Sequence, residues 1–166
     1  MELKTALKYI NYRLTAYTEH DLHSPFMYNF YMELIKNNHP FNDFDELNSI
    51  RKQLQKNTSI IEITDFGAGS KKSHSNKRAI NQIAKYGIAQ KKQAEFLYRL
   101  LNKFRPNTMV ELGTSIGLTS LYLSKANTKS TVYTIEGCPN LHQFSNNLFK
   151  EQEVKNIQSI NGNFNV

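Results

Sequence analysis

From Thr108 to the C-terminus, short strand-like runs alternate with segments of helical periodicity, and this alternation constrains the fold more than any other feature. Met109-Val110-Glu111-Leu112, Thr131-Val132-Tyr133-Thr134-Ile135 and Ile157-Gln158-Ser159-Ile160 read as strands. Between them, Leu118, Leu121 and Tyr122, then Leu141, Phe144 and Leu148, recur at helical spacing. Strand–helix–strand–helix–strand at this spacing predicts a parallel sheet with right-handed crossovers.

The preceding sequence has a different grain. Leu3, Leu7, Ile10, Leu14 and Tyr17 mark one face of a helix that packs within the chain or against a partner helix. Ser24-Pro25 is a cap and first-turn pair for a second helix through Phe26, Phe30, Leu34 and Ile35. Leu47, Ile50 and Leu54 mark a third, after Asn42 and Asp43. Ile61 and Ile63 alternate with polar residues as in a half-buried strand, closed by Phe66-Gly67-Ala68-Gly69. A further helix from about Ala89 to Phe104 carries the stripe Ala94, Leu97, Leu101 and Phe104, and Pro106 breaks it. The expected fold class is α/β: a partial Rossmann-like parallel sheet of three strands behind a helical N-terminal extension. The divisions are 1–58 for that extension, 59–88 for a strand, turn and basic connector, and 89–166 for the N-terminal half of a nucleotide-binding domain.

Composition excludes several classes. No stretch approaches the roughly 18 consecutive apolar residues of a membrane span, and the N-terminus lacks the form of a signal peptide. The single cysteine, Cys138, excludes a disulfide framework and argues against a cysteine-held metal. The cytoplasm is the default compartment. The net charge of +7 is concentrated between Lys71 and Ala94, which hold seven bases and no acid. Such a run can bind nucleic acid, but a solvated loop and helix face explains it more simply, and Tyr86 is its only stacking candidate.

The chemistry concentrates where the first parallel strand turns into its helix. In Glu111-Leu112-Gly113-Thr114-Ser115-Ile116-Gly117, Gly113 permits a tight turn, and Gly117 permits close approach of a ligand or close helix packing. A ligand over this turn would meet free helix N–H groups. Glu136, nineteen residues after Gly117, ends the next strand, where a carboxylate can accept both hydroxyls of a ribose. Together these features point to an adenosine-containing ligand. A nicotinamide dinucleotide would use the same turn and acid, but the order Gly113-x-x-x-Gly117 departs from Gly-x-Gly-x-x-Gly.

Glu-Leu-Gly-Thr-Ser-Ile-Gly-Leu-Thr-Ser, residues 111–120, resembles motif I of class I S-adenosylmethionine-dependent methyltransferases, in the form used by catechol and caffeoyl-coenzyme A O-methyltransferases. Gly87-Ile88-Ala89-Gln90 and Phe96-Leu97 through Leu101 resemble the helix leading into that motif. Thr134-Ile135-Glu136 resembles the acidic end of the family's second strand, and Gly162-Asn163-Phe164 its Gly-Asp turn after the third. The resemblance implies S-adenosyl-L-methionine as cofactor and a small-molecule oxygen as methyl acceptor. It implies Gly113 and Gly117 beneath the methionine part, Thr114 and Ser115 lining the loop, and Thr119 near the methionine carboxylate. Glu111 would orient the loop or reach the cofactor amino group through water, Glu136 would hold the ribose, and Asn163 would meet the adenine amino group. Ser115 stands where the broader class has glycine, and Asn163 where the family has aspartate.

Only 56 residues run from Glu111 to Val166, enough for three of the family's roughly seven strands. The family's catalytic and metal-binding acids follow the fourth strand, so no catalytic residue and no metal ligand is assigned. The expectation is a truncated, cofactor-binding half that is inactive alone and self-associates through its first strand. Asp65-Phe66-Gly67-Ala68-Gly69-Ser70 reads as a turn bordering the site, since neither a helix nor an acid-ended strand follows at nucleotide-loop spacing. It also spells the kinase Asp-Phe-Gly, without that family's catalytic loop. His20 and His23 flank Asp21 as local capping groups, and no third ligand completes a metal set.

Overall fold

A computed structural model describes residues 3–16, 18, 21–37, 39–64 and 76–163. Tyr17, His20, the Asp65–Ser70 turn, Lys71, Lys72, His74 and Phe164 lie outside the described residues. The chain forms two compact units, residues 1–39 and 40–166.

In the first unit, α1 spans Leu3–Thr15 as the periodicity predicts, but none of its residues is buried. Leu3, Leu7, Ile10 and Leu14 are all exposed, so the other described residues of the first unit do not cover this face. Ser24 caps α2 (Pro25–Phe30), its hydroxyl accepting from the Met27 N–H at 3.4 Å. The helix then continues as a π-helical segment, Tyr31–Lys36, rather than as regular α-helix.

The second unit begins with α3 (Asp43–Lys56), whose first turn holds Asp43, Asp45 and Glu46 at the positive end of its dipole. Strand β1 (Ile60–Glu62) pairs antiparallel with β2 (Lys77–Ala79), Ile61 opposite Arg78. The basic connector therefore contains a strand, followed by α4 (Ile80–Tyr86), neither of which the sequence pattern announces. Helix α5 (Lys91–Phe104) opens on a reciprocal capping box between Gln90 and Gln93 and ends at Arg105 in the left-handed region, just before Pro106. Its buried residues are Ala94, Tyr98 and Arg99, whereas Phe104 is half-exposed, so the buried face is rotated from the expected stripe.

Strands β3 (Thr108–Leu112), β4 (Thr131–Glu136) and β5 (Ile157–Asn161) form a parallel sheet in the order β3-β4-β5. Helices α6 (Leu118–Ala126) and α7 (Pro139–Glu151) are its crossovers. The chain is thus an α/β protein with a Rossmann-like three-stranded sheet. Val110 pairs with Tyr133 and then Gln158, and Leu112 with Ile135 and then Ile160. Because side chains alternate across a strand, each such row lies on one face. Met109 and Val132 are buried with Leu123 of α6, and partly buried Leu97, Leu101 and Ile157 pack against them.

The larger core joins Phe44, Leu47, Ile50 and Leu54 of α3 to Ile80 and Ile83 of α4, Tyr98 of α5, Leu118, Leu121 and Tyr122 of α6, and Leu148 and Phe149 of α7. Helix α6 is apolar or small nearly all round and is buried at seven of its nine positions. Three aromatic rings, Phe41, Phe44 and Tyr98, pack at centroid distances of 5.0–5.4 Å, within the range of favourable ring pairs. The Tyr98 hydroxyl donates to the Asp43 carboxylate, joining α5 to the start of α3. Burial, that bond and the Asp43 charge all push the Tyr98 hydroxyl well above its ordinary range.

Candidate cofactor site at the carboxyl edge of the sheet

The turn after β3 carries three left-handed residues within five positions: Gly113 at φ 92°, Ser115 at φ 52° and Gly117 at φ 83°. Glycine accepts this region freely; serine does so at a cost of about 1–2 kcal/mol. The Gly113 and Thr114 N–H groups both donate to the Ile135 carbonyl, at 2.9 and 3.2 Å, and the Gly117 N–H donates to the Thr114 carbonyl at 2.9 Å.

The two glycines do different work. Among the described residues a Cβ built on Gly113 would meet nothing within 4 Å, so the backbone there is not crowded by them. A Cβ on Gly117 would come within 2.8 Å of the Phe149 ring and 3.0 Å of Ser145 Cβ. Gly117 therefore lets the start of α6 pack against α7. Of the two roles open to it from sequence, the structure provides the packing one.

Glu111 and Glu136 end consecutive strands in unlike surroundings. Glu111 points toward α6, where its Oε2 accepts from the Ser120 hydroxyl and, at 2.7 Å, from the Thr134 hydroxyl. Thr134 in turn shares a 2.6 Å hydrogen bond with Thr114. With the Thr134 hydrogen committed to Glu111, Thr114 is the donor of that bond. Burial raises the Glu111 carboxyl above its ordinary 4.5, the two hydroxyl bonds oppose the shift, and the Glu136 charge adds to it. Thr114 is buried in this network, so its side chain does not line the loop surface.

Glu136 lies at the sheet edge, partly exposed. Its Oε2 accepts from the Ser115 N–H at 2.7 Å, and its Oε1 from the Cys138 N–H at 2.9 Å. One carboxylate thus fastens the turn after β3 to the turn after β4. An ionised carboxylate offers about four lone-pair sites, so each oxygen retains capacity for a second donor. On the other side, the Gly162 N–H and the Asn161 side-chain amide both donate to the Glu136 carbonyl, at 3.0 and 2.9 Å. That places Gly162-Asn163 beside Glu136, with Asn163 half-buried.

The structure therefore brings Gly113, Ser115, Glu136 and the Gly162-Asn163 turn to one sheet edge. Thr119 lies partly exposed in the first turn of α6, where helix N–H groups are unsatisfied. Glu111 and Thr114 stand behind the loop. Among the described residues no cluster of metal-ligating side chains occurs, and no helix is long and apolar enough to cross a membrane.

Sequence reasoning missed the flank of this site. The buried Cys138 thiol accepts from the Thr64 N–H at 3.3 Å and donates to the Glu62 carbonyl at 3.8 Å, and Asn140 donates to the same carbonyl at 2.8 Å. The end of β1 is thereby pinned to the start of α7, two residues from Glu136. Only backbone groups on the β1 side take part, which leaves no sequence signal.

No protein-family model and no curated protein sequence matches the chain. Several solved structures follow part of its path. A Staphylococcus aureus protein assigned as a caffeoyl-CoA O-methyltransferase aligns over 49% of this chain and 40% of its own, at 19% identity and a TM-score of 0.46. The Streptomyces achromogenes O-methyltransferase involved in tomaymycin synthesis, solved with S-adenosylmethionine, aligns over 46% and 35%, at 20% and 0.44. A Podospora anserina methyltransferase, solved with S-adenosylhomocysteine, aligns over 76% and 53%, at 18% and 0.46. The chain thus spans between about a third and a half of these proteins' lengths, and likeness at this level carries none of their chemistry across.

Proposed function

We propose that this chain binds S-adenosylmethionine at the carboxyl edge of β3-β4-β5 and forms the cofactor-binding part of a methyltransferase. The observation that carries the reading is the Glu136 carboxylate. Held by one backbone N–H on each oxygen, it is pre-oriented at the strand end with lone pairs left for two vicinal hydroxyls. Charge-assisted bonds of that kind contribute about 1.5–3 kcal/mol each. A ribose seated there directs its 5′ substituent over the turn, where the uncrowded backbone of Gly113 accommodates a chain. Thr119 and the α6 N-terminus then meet a carboxylate favourably, and Asn163 offers an amide oxygen to an adenine amino group. Glu111 keeps the turn in place from behind through Ser120, Thr134 and Thr114.

When bound, the cofactor supplies an electrophilic methyl group on a sulfonium. What this chain's residues contribute is binding and orientation; none is assigned to deprotonate an acceptor. The acceptor class carried by the motif I resemblance is a small-molecule oxygen.

Titration calorimetry of the full chain with S-adenosylhomocysteine, adenosine and NAD tests the reading. Saturable 1:1 binding of S-adenosylhomocysteine, weaker binding of adenosine and none of NAD is the expected pattern. No binding of S-adenosylhomocysteine, or tighter binding of NAD, would overturn it.

A further inference from the structure

The edge of β1 that faces away from β2 is held by side chains from the start of α7. Along a strand, the carbonyl of one residue and the N–H of the residue two further on point to the same side. The Ile63 N–H bonds the Asn76 carbonyl at 2.6 Å, toward β2. The Glu62 carbonyl and the Thr64 N–H therefore point the other way, where a further strand would pair. The Cys138 thiol meets both, accepting from the Thr64 N–H at 3.3 Å and donating to the Glu62 carbonyl at 3.8 Å. A thiol carries a donor and an acceptor on one atom, so it serves both backbone groups as a neighbouring strand would. Asn140 adds a second donor to the Glu62 carbonyl at 2.8 Å. Ile63, between the two, is buried in the core that also holds Cys138 and Leu141.

The backbone of Cys138 is engaged as fully as its thiol. Its N–H donates to Glu136 Oε1 at 2.9 Å, and its carbonyl accepts from the His142 N–H at 2.9 Å. Two of its polar groups thus serve β1, one serves α7 and one serves Glu136. Cys138 is the N-cap of α7, yet its side chain makes no cap bond to that helix. Serine, threonine, aspartate and asparagine are the usual capping residues. Here the side chain is turned to β1 instead of its own helix.

We propose that Cys138 and Asn140 are positioning residues for the cofactor site: by pinning β1, they fix the Cys138 N–H that orients Glu136 toward a ribose. The proposal rests on Glu136 being the ribose-binding group. Release of β1 lets the Cys138 backbone rotate, and Oε1 loses the donor that holds it. The Ser115 N–H still holds Oε2, so the carboxylate pivots about one bond where two had fixed it. Adenosine-containing ligands then bind the unpinned chain more weakly and, by linkage, favour the pinned one. Free methionine, over the Gly113 turn and the α6 N-terminus, is indifferent to the pin.

Asn140→Asp tests this with little disturbance. The side chain is exposed and keeps its shape, but the donor facing the Glu62 carbonyl becomes an acceptor. Cys138→Ala removes both thiol bonds. With circular dichroism confirming each fold, calorimetry should show S-adenosylhomocysteine bound about threefold to tenfold more weakly, the range for a net hydrogen bond. Methionine affinity should stay unchanged; a merely structural role would move both ligands together. Cys138 is the single cysteine and is 1% exposed, so its reaction with N-ethylmaleimide reads the opening of the pin. Asn140→Asp should speed that reaction, and saturating S-adenosylhomocysteine should slow it in the wild-type chain. Methionine at a concentration giving the same rise in melting temperature should slow it less. If Cys138→Ala fails to fold, Asn140→Asp carries the test. Unchanged S-adenosylhomocysteine affinity in the folded variants, an equal loss of methionine binding, or a thiol reaction indifferent to S-adenosylhomocysteine would each overturn the proposal while leaving Glu136 in the site. A wild-type chain that does not bind S-adenosylhomocysteine would overturn the ribose assignment and the proposal with it.

Discussion

Two glutamates end neighbouring strands of one sheet, and their surroundings give them different capacities. Glu111 is enclosed between sheet and helix and served by side-chain hydroxyls. Glu136 stands at the edge and is served by backbone N–H groups. Hydroxyl partners inside a packed layer make a group part of the framework. Amide partners at an edge orient a group while leaving its outer lone pairs open. The same residue type is thus a strut in one place and a candidate ligand-binding group in the other. The two glycines of the turn divide in the same way: Gly117 is enclosed against α7, and Gly113 is not crowded by the described residues.

The largest effect separates those glycines. Gly117→Ala places a methyl against the Phe149 ring and Ser145, adding an overpacking cost of about 1–3 kcal/mol to about 1–2 kcal/mol for a left-handed alanine. Gly113→Ala carries only the second cost. Urea unfolding should therefore rank Gly117→Ala clearly below Gly113→Ala; equal losses would show that α6 and α7 do not approach as described.

A smaller, pH-dependent effect tests the enclosure of Glu111. Its folded pKa is raised above the ordinary 4.5, chiefly by burial. The native state then holds more protons than the unfolded chain above that pH. Its stabilising contribution is fully present below about pH 4.5 and is lost as pH rises through the folded value. Glu111→Gln removes this dependence while keeping the side chain's shape. The stability difference between wild type and variant should shift in the variant's favour from pH 4 to pH 8 in urea titrations. A constant difference would place Glu111 in contact with water.

The smallest effect concerns Ser115. At φ 52° it is a non-glycine residue in the left-handed region, so Ser115→Gly should raise stability by about 0.5–1 kcal/mol after the entropic cost of glycine. A loss on that substitution would mean that the serine hydroxyl makes a compensating bond.

How far the sequence exposes this arrangement depends on how local each signal is. The β3–α6–β4–α7–β5 alternation is legible because each strand or helix carries its own periodicity, and Gly113, Gly117 and Glu136 stand out by their places at its boundaries. Strand β2 is illegible because Lys77-Arg78-Ala79 has no apolar alternation; its strand geometry comes from pairing with Ile60–Glu62. The inward turn of Thr114 is hidden because its partner Thr134 lies twenty residues away on another strand. The Glu136 clamp uses N–H groups that nearly every residue possesses, so nothing in the side chains of Ser115 or Cys138 marks it. The exposure of Phe104 shows the limit of periodicity. It gives the apolar face of a helix, while what covers that face is decided elsewhere.

The most direct measurement is calorimetric titration of S-adenosylhomocysteine and of free methionine into wild type, Glu136→Ala and Glu111→Gln, with circular dichroism confirming each fold. Removing Glu136 deletes two charge-assisted bonds to ribose hydroxyls, at about 1.5–3 kcal/mol each, so S-adenosylhomocysteine should bind at least about a hundredfold more weakly. Methionine should be little affected by that change, and Glu111→Gln should leave the ribose contribution intact. Unchanged affinity of Glu136→Ala for S-adenosylhomocysteine would contradict the account, leaving Glu136 as a clamp between two turns and the Gly113–Gly117 turn as architecture.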